Sequence, residues 1–345
     1  MGGFSLFVYY YNVLTQTKED SRSKGMNKIY RYWLILVMVV YGYGFELGKY
    51  GSFAFERVHK NVYVMHGPVT EPNKENEGFM NNPAIIEGEH GLIVVDPGGN
   101  YRVGKKVLAE IANVSKKPIL AIFNTHKHGD HWFANKAMVE SYPKAVIYAD
   151  AHMIEEAKAG EAEKWYRILD RMTGNLEGTK AFAYPTKSLK MGDRIEIDGE
   201  TFVVRHPKAA HTDTDLLIEH VNSGTLFLGD NVMVGRFGAF DASSSILGNK
   251  KLLEEIMQEK EMVYYIPGHG ISGERGRVVE PYLSYLRTIT EEMKQAYVDE
   301  VEPYEVMDRV KSRLKAYENW DGIGHTLGRH LDKVYAEIEE QDDAS

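Results

Sequence analysis

Apolar positions along the chain follow two periods, and the period switches repeatedly. Alternating or β-branched runs predict strands at residues 61–65, 83–87, 92–96, 118–124, 144–148, 194–198, 201–205, 216–220, 225–230 and 262–266. Spacings of three and four predict helices over residues 101–114, 132–140 and 249–260. In the first of these, Val103, Val107, Leu108 and Ile111 share a face. Beyond residue 280 only the helical period survives. Tyr282, Leu286, Ile289 and Met293 form one stripe, Val306, Val310 and Leu314 a second, and Leu327, Leu331, Val334 and Ile338 a third. Two strand pairs are joined closely enough for hairpins, across Glu89-His90-Gly91 and across Asp198-Gly199. Strands that alternate with helices imply an α/β arrangement.

Three segments depart from this pattern. Residues 26–31 are basic and residues 32–41 apolar, which is the build of a signal peptide, with Gly42 and Gly44 as small residues before a cleavage point. The apolar run is short for a membrane span, so the alternative of an anchor ranks second. On this reading residues 1–25 are expected to be an upstream extension with Met26 as the natural start, and the protein is expected to be exported to the periplasm or beyond with no stable membrane insertion after cleavage. Residues 67–82 are polar and long for a surface connection, which suggests a loop flanking a substrate. Residues 151–190 are helical and charged and carry Trp165, Tyr166, Arg167 and Arg171; they read as an insertion over the site, with the arginines on its solvated surface.

Composition narrows the function. A chain of 345 residues, 43% hydrophobic and 26% charged, is a globular protein able to bury a large core. A net charge of −9 offers no basic surface for nucleic acid. The absence of cysteine removes disulfides, thiolate metal ligands and a cysteine nucleophile.

The chemistry concentrates in residues 125–132, Thr-His-Lys-His-Gly-Asp-His-Trp, between a predicted strand and a predicted helix. Neutral imidazoles and carboxylates are the ligands that borderline divalent metals such as zinc prefer. The i, i+2 spacing lets His126 and His128 share one ion, while Asp130 and His131 face a second position. Downstream, His211, Asp230 and His269 each lie in a loop or at a strand end beside small residues, where α/β layers place their sites. Asp96 ends a buried strand and reads as a carboxylate steadying the metal-binding loop. His325 and His330, in the helical tail, read as structural or surface histidines.

This set resembles the metallo-β-lactamase superfamily: Asp96 in Val-Val-Asp-Pro-Gly, His126-x-His128-x-Asp130-His131, His211 before Thr212, Asp230 after Leu-Gly, and His269 in Pro-Gly-His-Gly. The resemblance covers residues 53–272 and implies a four-layer αβ/βα sandwich with the metals at one edge. It implies two zinc ions, with iron or a mixed pair as alternatives. His126, His128 and His211 would hold one, Asp130, His131 and His269 the other, and Asp230 would bridge. The chain divides accordingly into residues 1–50, a catalytic domain at 51–275 and a helical extension at 276–345. Asp230 stands where one subclass of zinc β-lactamases carries cysteine and where glyoxalase II thioesterases carry aspartate. The tail and residues 78–82, Gly-Phe-Met-Asn-Asn, are similar to exported zinc metallohydrolases associated with sulfur oxidation and quinoproteins. The implied activity is hydrolysis of a small ester, thioester, lactone or lactam, with Asp130 orienting the water and taking its proton. Two rivals use the same residues: a mononuclear non-haem iron persulfide dioxygenase, and a metal-stabilised binding protein without catalysis.

Overall fold

In the computed structural model, which describes residues 54–343, the alternating stretches pair into two sheets. The expected leader lies outside the described residues. The first sheet has the order β1 (Glu56–His59), β2 (Val62–Val64), β3 (Ala84–Glu87), β4 (Leu92–Val95), β5 (Ile119–Phe123), β6 (Val146–Asp150), β7 (Lys187–Leu189). Pairing is antiparallel from β1 to β4 and parallel from β4 to β7. The second sheet comprises β8 (Arg194–Ile197), β9 (Glu200–Arg205), β10 (Leu217–His220), β11 (Thr225–Met233) and β12 (Tyr264–His269), with only β11 and β12 parallel. At the predicted β8–β9 turn, Asp198 and Gly199 both take positive φ, 54° and 83°, as a two-residue hairpin of matching twist requires.

The sheets face each other across one apolar layer. Val62, Val64, Ile93, Val95, Ala121 and Phe123 from the first meet Phe202, Val204, Ile218, Phe227 and Ile266 from the second. Their buried strand neighbours Ile85, Val94 and Ile122 point to the opposite face by the two-residue period. Helices α1 (Tyr101–Val114) and α3 (Asn135–Ser141) pack together, with Gly104 admitting Ala134 and Ala137. On the second sheet, α6 (Ile246–Gln258), α7 (Arg275–Val298), α8 (Met307–Arg313) and α9 (Ile323–Asp343) join Leu217, Leu226 and Leu228 in one core. The result is the αβ/βα sandwich with a helical C-terminal region. All three predicted tail stripes are buried in that core, and each buried Leu or Ile side chain contributes about 1.5–3 kcal/mol.

Three elements differ from the sequence expectation. β1 (Glu56–His59), paired with β2, is a half-exposed strand without apolar alternation that the pattern does not predict. The helix expected over 132–140 is broken: α2 (Gly129–Trp132) starts three residues early and α3 follows after Phe133 and Ala134. The backbone must turn at once after the strand to bring Asp130 and His131 inward, and Trp132 Nε1 closes the turn by donating to Lys127 O at 3.1 Å. Residues 151–190 are not wholly helical. They run through α4 (Ala151–Glu156), a π-turn kinked at Gly160 (φ 125°) and α5 (Ala162–Thr173), then return as β7, a strand too short and polar to show in the pattern.

His330 is structural, as expected. Tyr285 Oη donates to its Nδ1 at 2.7 Å, and its Nε2 donates to Gly238 O at 2.9 Å. Burial pushes its pKa down to about 4, against the opposing pull of the Gly238 carbonyl. A folded-state value below the unfolded one means that its contribution is complete above pH 6.5 and is lost as pH falls toward 4. Between pH 7.5 and 5 this group alone removes about 2 kcal/mol. The stability gap between wild type and His330→Gln, measured by urea unfolding, should narrow by that amount over the same interval. A gap that stays constant would show that His330 does not titrate there.

Candidate metal centre

All but one of the predicted ligands come from a strand end or the segment beyond it, Asp230 coming from within β11, and all converge in one place. β5 leads directly into His126 and His128, and the first turn of α2 carries Asp130 and His131. His211 lies in the loop before β10, Asp230 within β11, and His269 closes β12. The β11–β12 pairing is irregular around Gly229 (φ 53°), and such a break re-aims the adjoining side chain toward the edge.

The side chains form two groups sharing Asp230: His126, His128, His211 and Asp230, and Asp130, His131, His269 and Asp230, each with its ligand atoms within 4.8 Å of one another. All seven residues are buried. The two oxygens of Asp230 face different groups. Oδ2 lies 3.7 Å from His126 Nε2 and 3.6 Å from His211 Nε2, while Oδ1 lies 3.1 Å from His131 Nε2 and 3.2 Å from His269 Nε2. Asp130 Oδ2 is 3.3 Å from His131 Nε2 and 3.4 Å from His269 Nε2, and His211 Nε2 is 3.0 Å from His128 Nδ1. Ligands about 2.1 Å from a tetrahedral ion stand about 3.4 Å apart, so these separations are those of coordination edges.

The donor set fits metal ions on a second count. His126 Nε2, His131 Nε2, His269 Nε2 and Asp230 Oδ1 are buried without a hydrogen-bond partner. Leaving such atoms unpaired costs about 1–3 kcal/mol each. Burial pushes His126 well down, His128 to about 3 and His211 down, which keeps these imidazoles neutral with lone pairs free. In the carboxylate-rich half the balance reverses. Burial would lower His131, but Asp230, Asp130 and Asp96 raise it well above its ordinary value. That half favours positive charge, which a bound cation would supply.

A second layer holds the ligands. Asp96 (φ 48°) accepts from Thr125 N at 2.9 Å, Thr125 Oγ1 at 2.6 Å and His131 Nδ1 at 2.8 Å. Residues 67–82, expected as a loop flanking a substrate, contribute Glu71, Pro72 and Met80 to the cavity described below and are buried at their end: Met80 O accepts from His269 Nδ1 at 2.8 Å, and Asn82 Nδ2 donates to Pro267 O and Gly270 O at 2.9 and 2.7 Å. Sequence reasoning missed both roles; the adjacent Asn81-Asn82 pair before a strand was the available signal. It also missed Lys127, whose Nζ bonds Glu156 Oε2 at 2.9 Å and Asp213 Oδ1 at 2.8 Å. Lys127 thereby ties the His126–His128 loop to the His211 loop. It also occupies the acidic side of a third group, the part-exposed His152, Glu156 and Asp213.

Asp130, Asp230, His128, His211 and His269 form the floor of a cavity of about 300 Å3. Its walls include Met80, Ile168, Met172, Met233, Phe237 and Arg236. The helical segment 151–173 does lie over the site: the Trp165 ring stands 4.4 Å from the His128 ring, while Arg167 and Arg171 are exposed.

Comparison with known proteins matches residues 76–269 to the model of the metallo-beta-lactamase superfamily. A hydroxyacylglutathione hydrolase of Nostoc punctiforme is 34% identical over 149 residues, 42% of this chain and 46% of that protein. A linear primary-alkylsulfatase of a Pseudomonas species is 49% identical over 98 residues, 27% of this chain and 16% of that one. The chain thus spans less than half the length of these relatives. The solved structure of the sec-alkylsulfatase Pisa1 from Pseudomonas superposes with a TM-score of 0.62 at 15% identity, over 82% of this chain and 50% of that one, a likeness of fold.

Proposed function

The chain belongs to the metallo-β-lactamase superfamily, and from that premise we propose that it is a hydrolase using two zinc ions to cleave a small ester or thioester. Lactones, lactams and sulfate esters belong to the same candidate range. The observation that carries the reading is the divided Asp230 carboxylate, one oxygen toward each trio, opening onto a cavity. A closed four-ligand structural site leaves no room for substrate; here the ligands form a cavity floor, which weighs against a binding module without catalysis.

When bound, the two ions polarise the substrate and bring a water's pKa down to roughly 7. His126, His128 and His211 would hold the first ion, His131 and His269 the second with Asp130, and Asp230 both. Asp130 faces the cavity with one oxygen committed to His131 and His269, so its carboxylate orients the attacking water and takes its proton. Asp96 holds His131 in the tautomer that turns Nε2 inward, since Nδ1 must carry the proton donated to Asp96.

Mass spectrometric metal analysis should find close to two ions per chain, with His128→Ala and His269→Ala each removing a different one. Full metal content in both variants would refute the ligand assignment. Zinc- and iron-loaded samples of one preparation should then be tested on thioester, ester, lactone, β-lactam and alkyl sulfate substrates, with oxygen uptake recorded. Turnover by the zinc form is expected. Persulfide-dependent oxygen uptake by the iron form, without hydrolysis by the zinc form, would install the dioxygenase instead.

A further inference from the structure

The cavity wall contains a charge that the proposed hydrolysis does not use. Two arginines line it; Arg329 is exposed, whereas Arg236 is only 5% exposed. Among the described residues Arg236 takes part in no ion pair. Its hydrogen bonds are two long ones from Nη1, to Thr70 O at 3.4 Å and Met80 Sδ at 3.9 Å, and its Nε is buried with no partner. A guanidinium taken out of water without a carboxylate costs several kcal/mol. Here the cost is compounded, because the neighbouring centre is built to gather cations. Burial works against protonation of His269 and Asp230 favours it, with a net rise, while the charge of Arg236 reaches the ring and opposes that rise.

The residue is not simply adrift on a loop. Its backbone pairs with Asp321 in the tail, Phe237 N donates to Asp321 O at 2.9 Å, and Asp321 N donates to Gly235 O at 2.9 Å. Asp321 Oδ2 in turn accepts from Glu71 N at 3.1 Å, so the tail and the 67–82 segment together fix the turn six residues beyond Asp230. The rest of the wall is largely apolar, with Met80, Ile168, Met172, Met233 and Phe237; its other polar members are Thr326 and Glu71, whose Oε1 is held 2.8 Å from His325 Nε2. Thioether side chains adapt to different apolar shapes without choosing one.

We propose that Arg236 anchors an oxyanion group of the substrate, and that the substrate is an amphiphilic anion, an apolar body carrying a carboxylate or a sulfate. The identity as substrate rests on the hydrolase reading; the binding of the anion does not. A planar fork of N–H donors suits either oxyanion bidentately, and bonds of this kind are about twice as strong as neutral ones.

The test is calorimetric titration of the metal-loaded full chain with octanoate, octyl sulfate and 1-octanol. At least one anion should bind on the order of 10- to 100-fold tighter than the alcohol. The anion that does so identifies the oxyanion, and both doing so identifies a general oxyanion site. Arg236→Met should erase the difference while leaving metal content and octanol binding unchanged. It should also leave the melting temperature unchanged or raised, because a buried unpaired charge is replaced by an apolar side chain of similar reach. Arg236→Lys should restore part of the preference. Anions that bind no better than octanol, or that keep their affinity in Arg236→Met, would overturn the proposal. Should Arg236→Met fail to fold, Arg236 has a structural partner and the proposal falls on that ground. A protein that hydrolyses none of the panel yet shows Arg236-dependent anion binding would sink the hydrolase reading and leave this one standing.

Discussion

Replacing Asp230 with alanine is expected to lower metal content below two ions per chain and to cut turnover on the order of a hundredfold. Among the described residues this carboxylate is the one side chain shared by both trios, with separations of 3.6 and 3.7 Å on one side and 3.1 and 3.2 Å on the other. Its removal leaves five imidazoles facing two cations with Asp130 as the only nearby ligand charge. A hundredfold corresponds to about 3 kcal/mol of transition-state stabilisation, the usual scale for one major electrostatic element. Asp230→Asn keeps the shape of the side chain but loses its negative charge and turns one of its two oxygens into a non-ligating NH2, so it should also lower metal content. Metal analysis and initial rates on the same samples check both statements. Full metal content with the parent rate in Asp230→Ala would remove the bridging role and, with it, the dinuclear reading.

Gly268→Ala should produce nearly the same loss without touching a ligand. A Cβ at Gly268 would overlap Asp230 Oδ1 and press on Gly229 C and O at 2.9 and 3.0 Å. The backbone there has ordinary φ, so glycine is required for space and not for conformation. β11 and β12 must separate or Asp230 must leave, and such overpacking costs about 1–3 kcal/mol in stability. Turnover should fall on the order of a hundredfold, with the His131–His269 position losing its metal first because Oδ1 is the oxygen displaced. Combining Gly268→Ala with Asp230→Ala should cost little more in rate than either alone, since both act on one carboxylate. Gly276→Ala, which meets nothing within 4 Å, serves as the silent control. Equal rates for Gly268→Ala and wild type would show that the strands yield and that Asp230 is not held by this contact.

Local pattern made most of the elements legible. The two hairpins, the alternating strands and the tail stripes each depend on near neighbours in the chain, and they stand where the periods place them. Apart from β1, whose exposed, unpatterned residues pair with the neighbouring β2, the errors fall where a distant partner overrides local preference. β7 is three residues long and is a strand only because β6 runs alongside it. The early turn of α2 is closed by Trp132 reaching back to Lys127, a bond that no periodicity displays.

By itself, then, the sequence determined the α/β class, the helical tail and the seven candidate ligands, because histidines and aspartates clustered in short motifs carry their chemistry wherever the chain takes them. How closely the candidate ligands stand together was decided by tertiary structure, since His126, which follows a strand of the first sheet, and Asp230, in the second, meet only after the two sheets have packed. The supporting bonds of Asp96, Met80 and Asn82 arise in the same way, and so does the clamp made by Lys127. Arg236 is the clearest case. In the sequence it is one of many basic residues, and only the fold strips it of water and of any carboxylate and turns it toward the cavity.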